Sequence, residues 1–280
     1  MRPDIDTLSK IYEGYDETSI KSMARSGWRE YYEKKIGTRF LDEGGIKYYQ
    51  ERREAENRPY LETILDNVES PTDVVGVVGS GAGLEIVYLL KKGVKTIGLD
   101  NEDVFPLVRQ NAKLANVSES MLFGFTDLRK LGLADQSLRV LASHGTLEHF
   151  ERDEDIVDAI IEGCRVANTY IFVVPLELAG NLDARRSLNL SMPTENNTTG
   201  NFGNEVYKNG TEWESVIQTA IKKMRQEGVE ITTENPFGYW IPEYGDTKKH
   251  PQTREEAERL YKSGKSIYGV YVLKRTHNTP

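Results

Sequence analysis

Residues 73–100 read DVVGVVGSGAGLEIVYLLKKGVKTIGLD, and few folds accept that order of residues. The run DVVGVV is almost wholly β-branched, which suits a strand buried on both faces of a parallel sheet. It leads directly into Gly79, Ser80, Gly81, Ala82 and Gly83. In the following LEIVYLLKKGV, Ile86, Leu89 and Leu90 recur at helical spacing, and Gly93 is a stop signal. A second apolar strand over 95–99 ends at Asp100. A strand, glycine loop, helix, strand and acid in this order form the ligand-handling half of a doubly wound α/β fold. Glycines permit a tight turn and close approach of a ligand, and the helix amino terminus offers unpaired N–H groups. At the mouth of the crevice, Asp100 is placed to accept hydrogen bonds from the two hydroxyls of a ribose.

A dinucleotide fingerprint requires Gly-x-Gly-x-x-Gly, and the sixth position counted from Gly79 is Leu84. The glycines are instead Gly79, Gly81 and Gly83, and no Gly-Lys-Ser/Thr follows, which excludes a triphosphate P-loop. With this loop and Asp100 the chain resembles the class I S-adenosylmethionine-dependent methyltransferases. The resemblance implies that Gly79, Ser80, Gly81 and Gly83 lie against the methionine and ribose parts of the cofactor. Asp100, with Asn101 beside it, would hold the ribose. The third strand, MLFGF at 121–125, is followed by Thr126 and Asp127. By the same resemblance Asp127 accepts the adenine amino group, with Phe125 or Leu128 covering the ring; as a residue it suits a cap on the short LRKLG turn equally well. Leu138–Ala142 reads as strand four. The segment Ser143-His144-Gly145-Thr146-Leu147-Glu148-His149-Phe150 resembles the stretch that follows that strand in many small-molecule methyltransferases. That match places Ser143 and His144 against the methionine side of the cofactor.

His144 carries two readings. An imidazole at a strand end beside the methyl donor can take a proton from an attacking hydroxyl or amine, or it can shape the pocket through hydrogen bonds alone. His149, five residues on, reads as a packing residue. Magnesium takes oxygen ligands, yet Ser143 and His144 stand where an acid would be needed, so no metal is expected.

The resemblance covers residues 73–175 and implies an α/β, Rossmann-like seven-stranded doubly wound sheet with an antiparallel last strand. Residues 1–72 read as an amino-terminal helical cap, with helical stretches at 18–36 and 43–68 and aromatic residues including Trp28, Tyr31 and Tyr32. Residues 73–280 form the α/β domain, with an inserted loop region at 176–210 after strand five. That insertion is polar and rich in Asn, Gly and Thr; Arg185, Arg186, Glu177, Glu195 and Glu205 are charges that it brings to the ligand edge. A helix over 213–227 with Thr211 as its cap, strand six at 229–234, an aromatic loop at 237–244 and a last strand at 266–275 complete the reading. In the loop, Phe237, Tyr239, Trp240 and Tyr244 are candidates for a pocket wall.

Lys and Arg total 36 against 44 Asp and Glu, giving a formal charge of −8, which argues against a broad nucleic-acid or anionic-membrane footprint. One cysteine, Cys164, permits no internal disulfide. No secretory signal or membrane-spanning stretch is evident, so the expected setting is cytoplasmic, with a homodimer possible. The expected activity is transfer of the S-adenosylmethionine methyl group to an oxygen or nitrogen of a small molecule. Carbon methylation, a noncatalytic partner that keeps the fold, and an NAD-dependent oxidoreductase are the alternatives.

Overall fold

The computed structural model describes residues 51, 54–55, 57–81, 83–100, 105–117, 121–124, 127–150, 152–176, 208–239, 251, 253–263, 266 and 268–276. The valine run forms β1 (Val74–Val78), buried along its whole length. It is followed by β2 (Lys95–Asp100), β3 (Met121–Gly124), β4 (Leu138–His144), β5 (Ala167–Pro175), β6 (Ile231–Thr233), β7 (Phe237–Tyr239) and β8 (Tyr268–Arg275). The sheet order is β3-β2-β1-β4-β5-β8-β6, with β7 pairing onto β8 off this path. β1 to β5 pair in parallel, while β8 runs antiparallel to both β5 and β6. The expected seven-stranded sheet with an antiparallel last strand is therefore present, joined by one short extra strand.

That extra strand corrects the reading of 237–244 as a loop. Phe237 is fully buried, and the Arg254 guanidinium lies 3.6 Å from the centre of its ring, so Phe237 is no part of a pocket wall. The side chain of Tyr239, and Trp240 and Tyr244 altogether, lie outside the described residues.

Six helices cover the sheet among the described residues: α1 (Arg58–Asp66), α2 (Leu84–Lys91), α3 (Phe105–Leu114), α4 (Asp153–Val166), α5 (Gly210–Gln226) and α6 (Arg254–Lys262). Pro59 and Pro106 both fall in first turns, where a missing N–H costs no helical hydrogen bond. The cap of α5 is Asn209, in a reciprocal box with Glu212, rather than Thr211; the helix starts one turn earlier than its apolar stripe suggests. Thr253 caps α6 in the same way with Glu256.

Apolar side chains divide between the two sheet faces. On one, Ile156 and Ile160 of α4 and Trp213, Ile217 and Met224 of α5 meet Leu141, Tyr170, Phe172 and Leu273. The buried Trp213 indole N–H donates to the Pro175 carbonyl at 3.2 Å. On the other, Tyr60, Leu61 and Ile64 of α1, Ile86 and Leu89 of α2 and Val108 of α3 meet Val75, Val77, Val140, Ala142, Ile171 and Val270. Complete burial of such a side chain contributes about 1.5–3 kcal/mol over leaving it exposed. α1 thus shares the core of the sheet, although it precedes the expected boundary at 72. Residues 1–50 and the insertion at 177–207, with the side chains proposed there, lie outside the described residues. The two ends of the insertion are joined, since Leu176 bridges to Lys208. No described helix is long and apolar enough to cross a membrane.

Candidate active site

Strand register sets the site. Val78 of β1 is level with Leu99 of β2 on one side and Ser143 of β4 on the other. The next residue of each strand, Gly79, Asp100 and His144, therefore forms a row along the carboxyl edge of the sheet. Ligands bind at this edge in open α/β sheets. β4 runs two residues beyond its expected end, so Ser143 and His144 belong to the strand rather than to the loop after it.

The loop turns on glycine. Gly79 and Gly83 have φ of 65° and 76°, in the left-handed region that side chains disfavour. A Cβ on Gly83 would meet Val108 Cγ1 at 2.6 Å, and one on Gly79 would collide with the Thr146 hydroxyl. The Gly79 N–H donates to the Leu99 carbonyl at 2.9 Å, and the Gly83 N–H to the Ser80 carbonyl at 2.7 Å. Asp100 braces the loop from β2: its Oδ2 accepts the Gly81 N–H at 2.6 Å and the Ser80 hydroxyl at 3.3 Å. Asp100 and Ser80 are buried.

The remaining expected residues separate. Successive strand residues point to opposite faces, and Ser143 and His144 obey that rule. Ser143 is 1% exposed, with its hydroxyl 3.2 Å from the Tyr170 hydroxyl. His144 is half-buried and faces α1, with its ring centre 5.9 Å from that of Tyr60 and 5.6 Å from that of Tyr268. The polypeptide then bends at Gly145, whose N–H donates to the Val173 carbonyl at 3.0 Å, into a short 3-10 turn, Leu147–His149. Asp127 caps its own turn by accepting the Arg129 N–H at 2.9 Å, and it pairs with the Arg129 guanidinium at 2.7 Å. Arg129 also bridges to Asp155 at the start of α4. Its hydrogen bond holds the Asp127 carboxyl below the usual range, and Arg152 with Arg129 holds Asp155 down to about 2. Leu128 is a core residue, 2% exposed. Asn101 and Phe125 lie outside the described residues.

The contact of Tyr60 with His144 is invisible in the sequence. The Tyr60 ring touches His144 from 84 positions away in the sequence, and nothing local signals that contact.

Gly83 is needed because Val108 already fills the space a Cβ would take, and the Asp100 carboxylate beside the loop is a group that can accept hydrogen bonds from ribose hydroxyls. No group of His, Cys, Asp and Glu side chains able to hold a metal ion occurs among the described residues.

Residues 77–169 match a family model described as a methyltransferase domain. Among solved structures, a protein of Pyrococcus horikoshii is 17% identical with a TM-score of 0.57, covering 88% of this chain and 99% of its own. Magnesium protoporphyrin IX methyltransferase of Synechocystis, solved with bound S-adenosylhomocysteine, is 13% identical with a TM-score of 0.52, covering 81% and 84%. A small RNA methyltransferase is 12% identical with a TM-score of 0.52, covering 80% of this chain and 26% of its own. No curated protein matches the chain significantly. The family-model match thus places a methyltransferase domain over residues 77–169, and the sheet around it has the fold of these methyltransferases.

Proposed function

We propose that the chain transfers the methyl group of S-adenosylmethionine to an oxygen or nitrogen of a small molecule. The observation that carries this reading is the row formed by Gly79, Asp100 and His144, which brings a glycine loop, a carboxylate and an imidazole to one edge of the sheet. In this reading Gly79, Ser80, Gly81 and Gly83 receive the methionine and ribose portions, and Asp100, with Asn101 next to it, accepts the ribose hydroxyls. Asp127 is the adenine-side acceptor and shares its carboxylate with Arg129. When bound, the cofactor supplies a methyl carbon already made electrophilic by a sulfonium, so the protein has mainly to align the attacking atom and exclude water. His144 takes the proton that the acceptor releases. The buried Cys164, its thiol pushed up to about 12 by burial, suits a reducing cytoplasmic setting without demanding it.

The test is methyl transfer from labelled S-adenosylmethionine to small-molecule extracts by the wild type and His144→Ala. Turnover is expected to fall by about 10²–10⁴, with cofactor affinity kept and the acidic limb of the pH profile lost. Unchanged turnover, or a loss confined to cofactor affinity, removes His144 from the role of base.

A further inference from the structure

The aromatic contact around His144 joins three parts of the chain: Tyr60 from α1, His144 from the end of β4 and Tyr268 from the start of β8. Tyr268 stands level with Pro175, where β5 ends and the 176–210 insertion departs. His144 and Tyr268, both at strand ends on the carboxyl edge, are half-buried and keep part of their surface open. Tyr60 is 0% exposed, and its hydroxyl has no hydrogen-bond partner among the described residues. Four other interior rings have partners for their polar atoms. Trp213 donates to Pro175, Tyr170 lies 3.2 Å from the Ser143 hydroxyl, and the Tyr261 and Tyr271 hydroxyls are 2.8 Å apart. A buried hydroxyl without a partner is costly unless a ligand supplies one.

We infer that the Tyr60 hydroxyl is a substrate-facing donor, which hydrogen-bonds the reacting oxygen of a phenolic acceptor whose ring lies against Tyr268 and whose proton passes to His144. The inference rests on the methyl-transfer reading above and narrows it to oxygen. The acceptor O–H bond breaks and its proton goes to the imidazole. The oxygen then bonds to the methyl carbon as the carbon–sulfur bond breaks, its electron pair staying on sulfur, which leaves an aryl methyl ether and S-adenosylhomocysteine. Negative charge gathers on the acceptor oxygen along this path, and a neutral donor in a dry site stabilises it. Burial, with the Glu85 carboxylate in reach, raises the Tyr60 phenol well above its ordinary range, so Tyr60 keeps its proton and remains a donor. An amine acceptor attacks as a neutral base and develops no such charge. The rings add a flat apolar surface that suits an aromatic acceptor.

The experiment compares the full-length wild type with Tyr60→Phe, which keeps the ring and deletes only the hydroxyl. Labelled methyl transfer is measured to a panel of phenol, 4-nitrophenol and 4-hydroxybenzoate, with aniline and ethanolamine as amine arms. Melting temperature and S-adenosylhomocysteine affinity are measured on the same samples. The wild type is expected to methylate members of the phenol arm and neither amine. Tyr60→Phe is expected to lose about ten- to hundredfold in kcat/KM on phenols, with melting temperature equal or higher and cofactor affinity unchanged. Addition of 4-nitrophenol to the S-adenosylhomocysteine complex should raise the nitrophenolate band in the wild type and not in the variant. Transfer to the amines alone, no transfer to any phenol, wild-type kinetics in Tyr60→Phe, or a loss confined to cofactor affinity each overturns the inference. A protein that binds neither S-adenosylmethionine nor S-adenosylhomocysteine fails at the earlier step and overturns the methyl-transfer reading itself.

Discussion

Asp100→Ala is the perturbation with the most to say about the cofactor loop. The carboxylate is 7% exposed, and its Oδ2 accepts the Gly81 N–H at 2.6 Å and the Ser80 hydroxyl at 3.3 Å. Only the first is short enough to count as a strong, charge-assisted bond. Alanine removes it and strands the amide, at a cost of about 1.5–3 kcal/mol. In a domain of this size that lowers the melting temperature by about 3–12 °C. The same carboxylate is proposed to hold the ribose, so S-adenosylhomocysteine affinity should fall by a further tenfold to about 150-fold, from another ~1.5–3 kcal/mol. Asp100→Asn separates the two jobs. Its amide oxygen can still accept the Gly81 N–H, so much of the melting temperature returns, while the loss of charge keeps cofactor binding weak. Differential scanning calorimetry without ligand and titration calorimetry with S-adenosylhomocysteine measure both. An alanine variant with wild-type melting temperature and wild-type affinity would refute both the brace and the ribose assignment.

Gly79→Ala should destabilise the fold by more than the ~1–2 kcal/mol of left-handed strain, because its Cβ also meets Thr146, and it should abolish cofactor binding. Gly93→Ala is the control: its φ is 78° but nothing lies within 4 Å of the added carbon, so it should show the strain alone and bind cofactor normally. Arg129→Ala removes the partner that depresses Asp127 and the lesser of the two, after Arg152, that depress Asp155. Groups with lowered folded-state values stabilise above the unfolded carboxyl pKa of about 3.9 and stop doing so as pH falls through the folded value. The melting-temperature gap between wild type and Arg129→Ala should therefore be full above pH ~4 and close towards pH ~2; a gap that does not change with pH would contradict the pairing.

What the sequence shows of this fold is what local chemistry can encode. β1 is legible because five residues buried on both faces leave no polar position, and the loop is legible because Gly79 and Gly83 need positive φ. Asp100 follows from the strand that carries it. The end of β4 is hidden, since Ser143 and His144 are polar and pair in the sheet without any apolar signal. β7 is hidden by its three-residue length and by Pro236 before it, which mark a turn. The cap of α5 is displaced because Asn209 and Gly210 read as a turn, although Asn209 is the residue whose side chain holds the helix start. The Ser143–His144 pair reads as one wall, but strand alternation sends Ser143 to Tyr170 and His144 to Tyr60. The contact between Tyr60 and His144 depends on how α1 lies across the sheet, and no window of sequence contains it.

The central claim is that the cradle under Gly79–Gly83, braced by Asp100, receives the methyl donor. Titration calorimetry of the full chain with S-adenosylhomocysteine and, separately, NAD tests it most directly. The account predicts saturable single-site binding of S-adenosylhomocysteine, lost in Gly79→Ala, and no heat from NAD. Saturable NAD binding with no response to S-adenosylhomocysteine would contradict it.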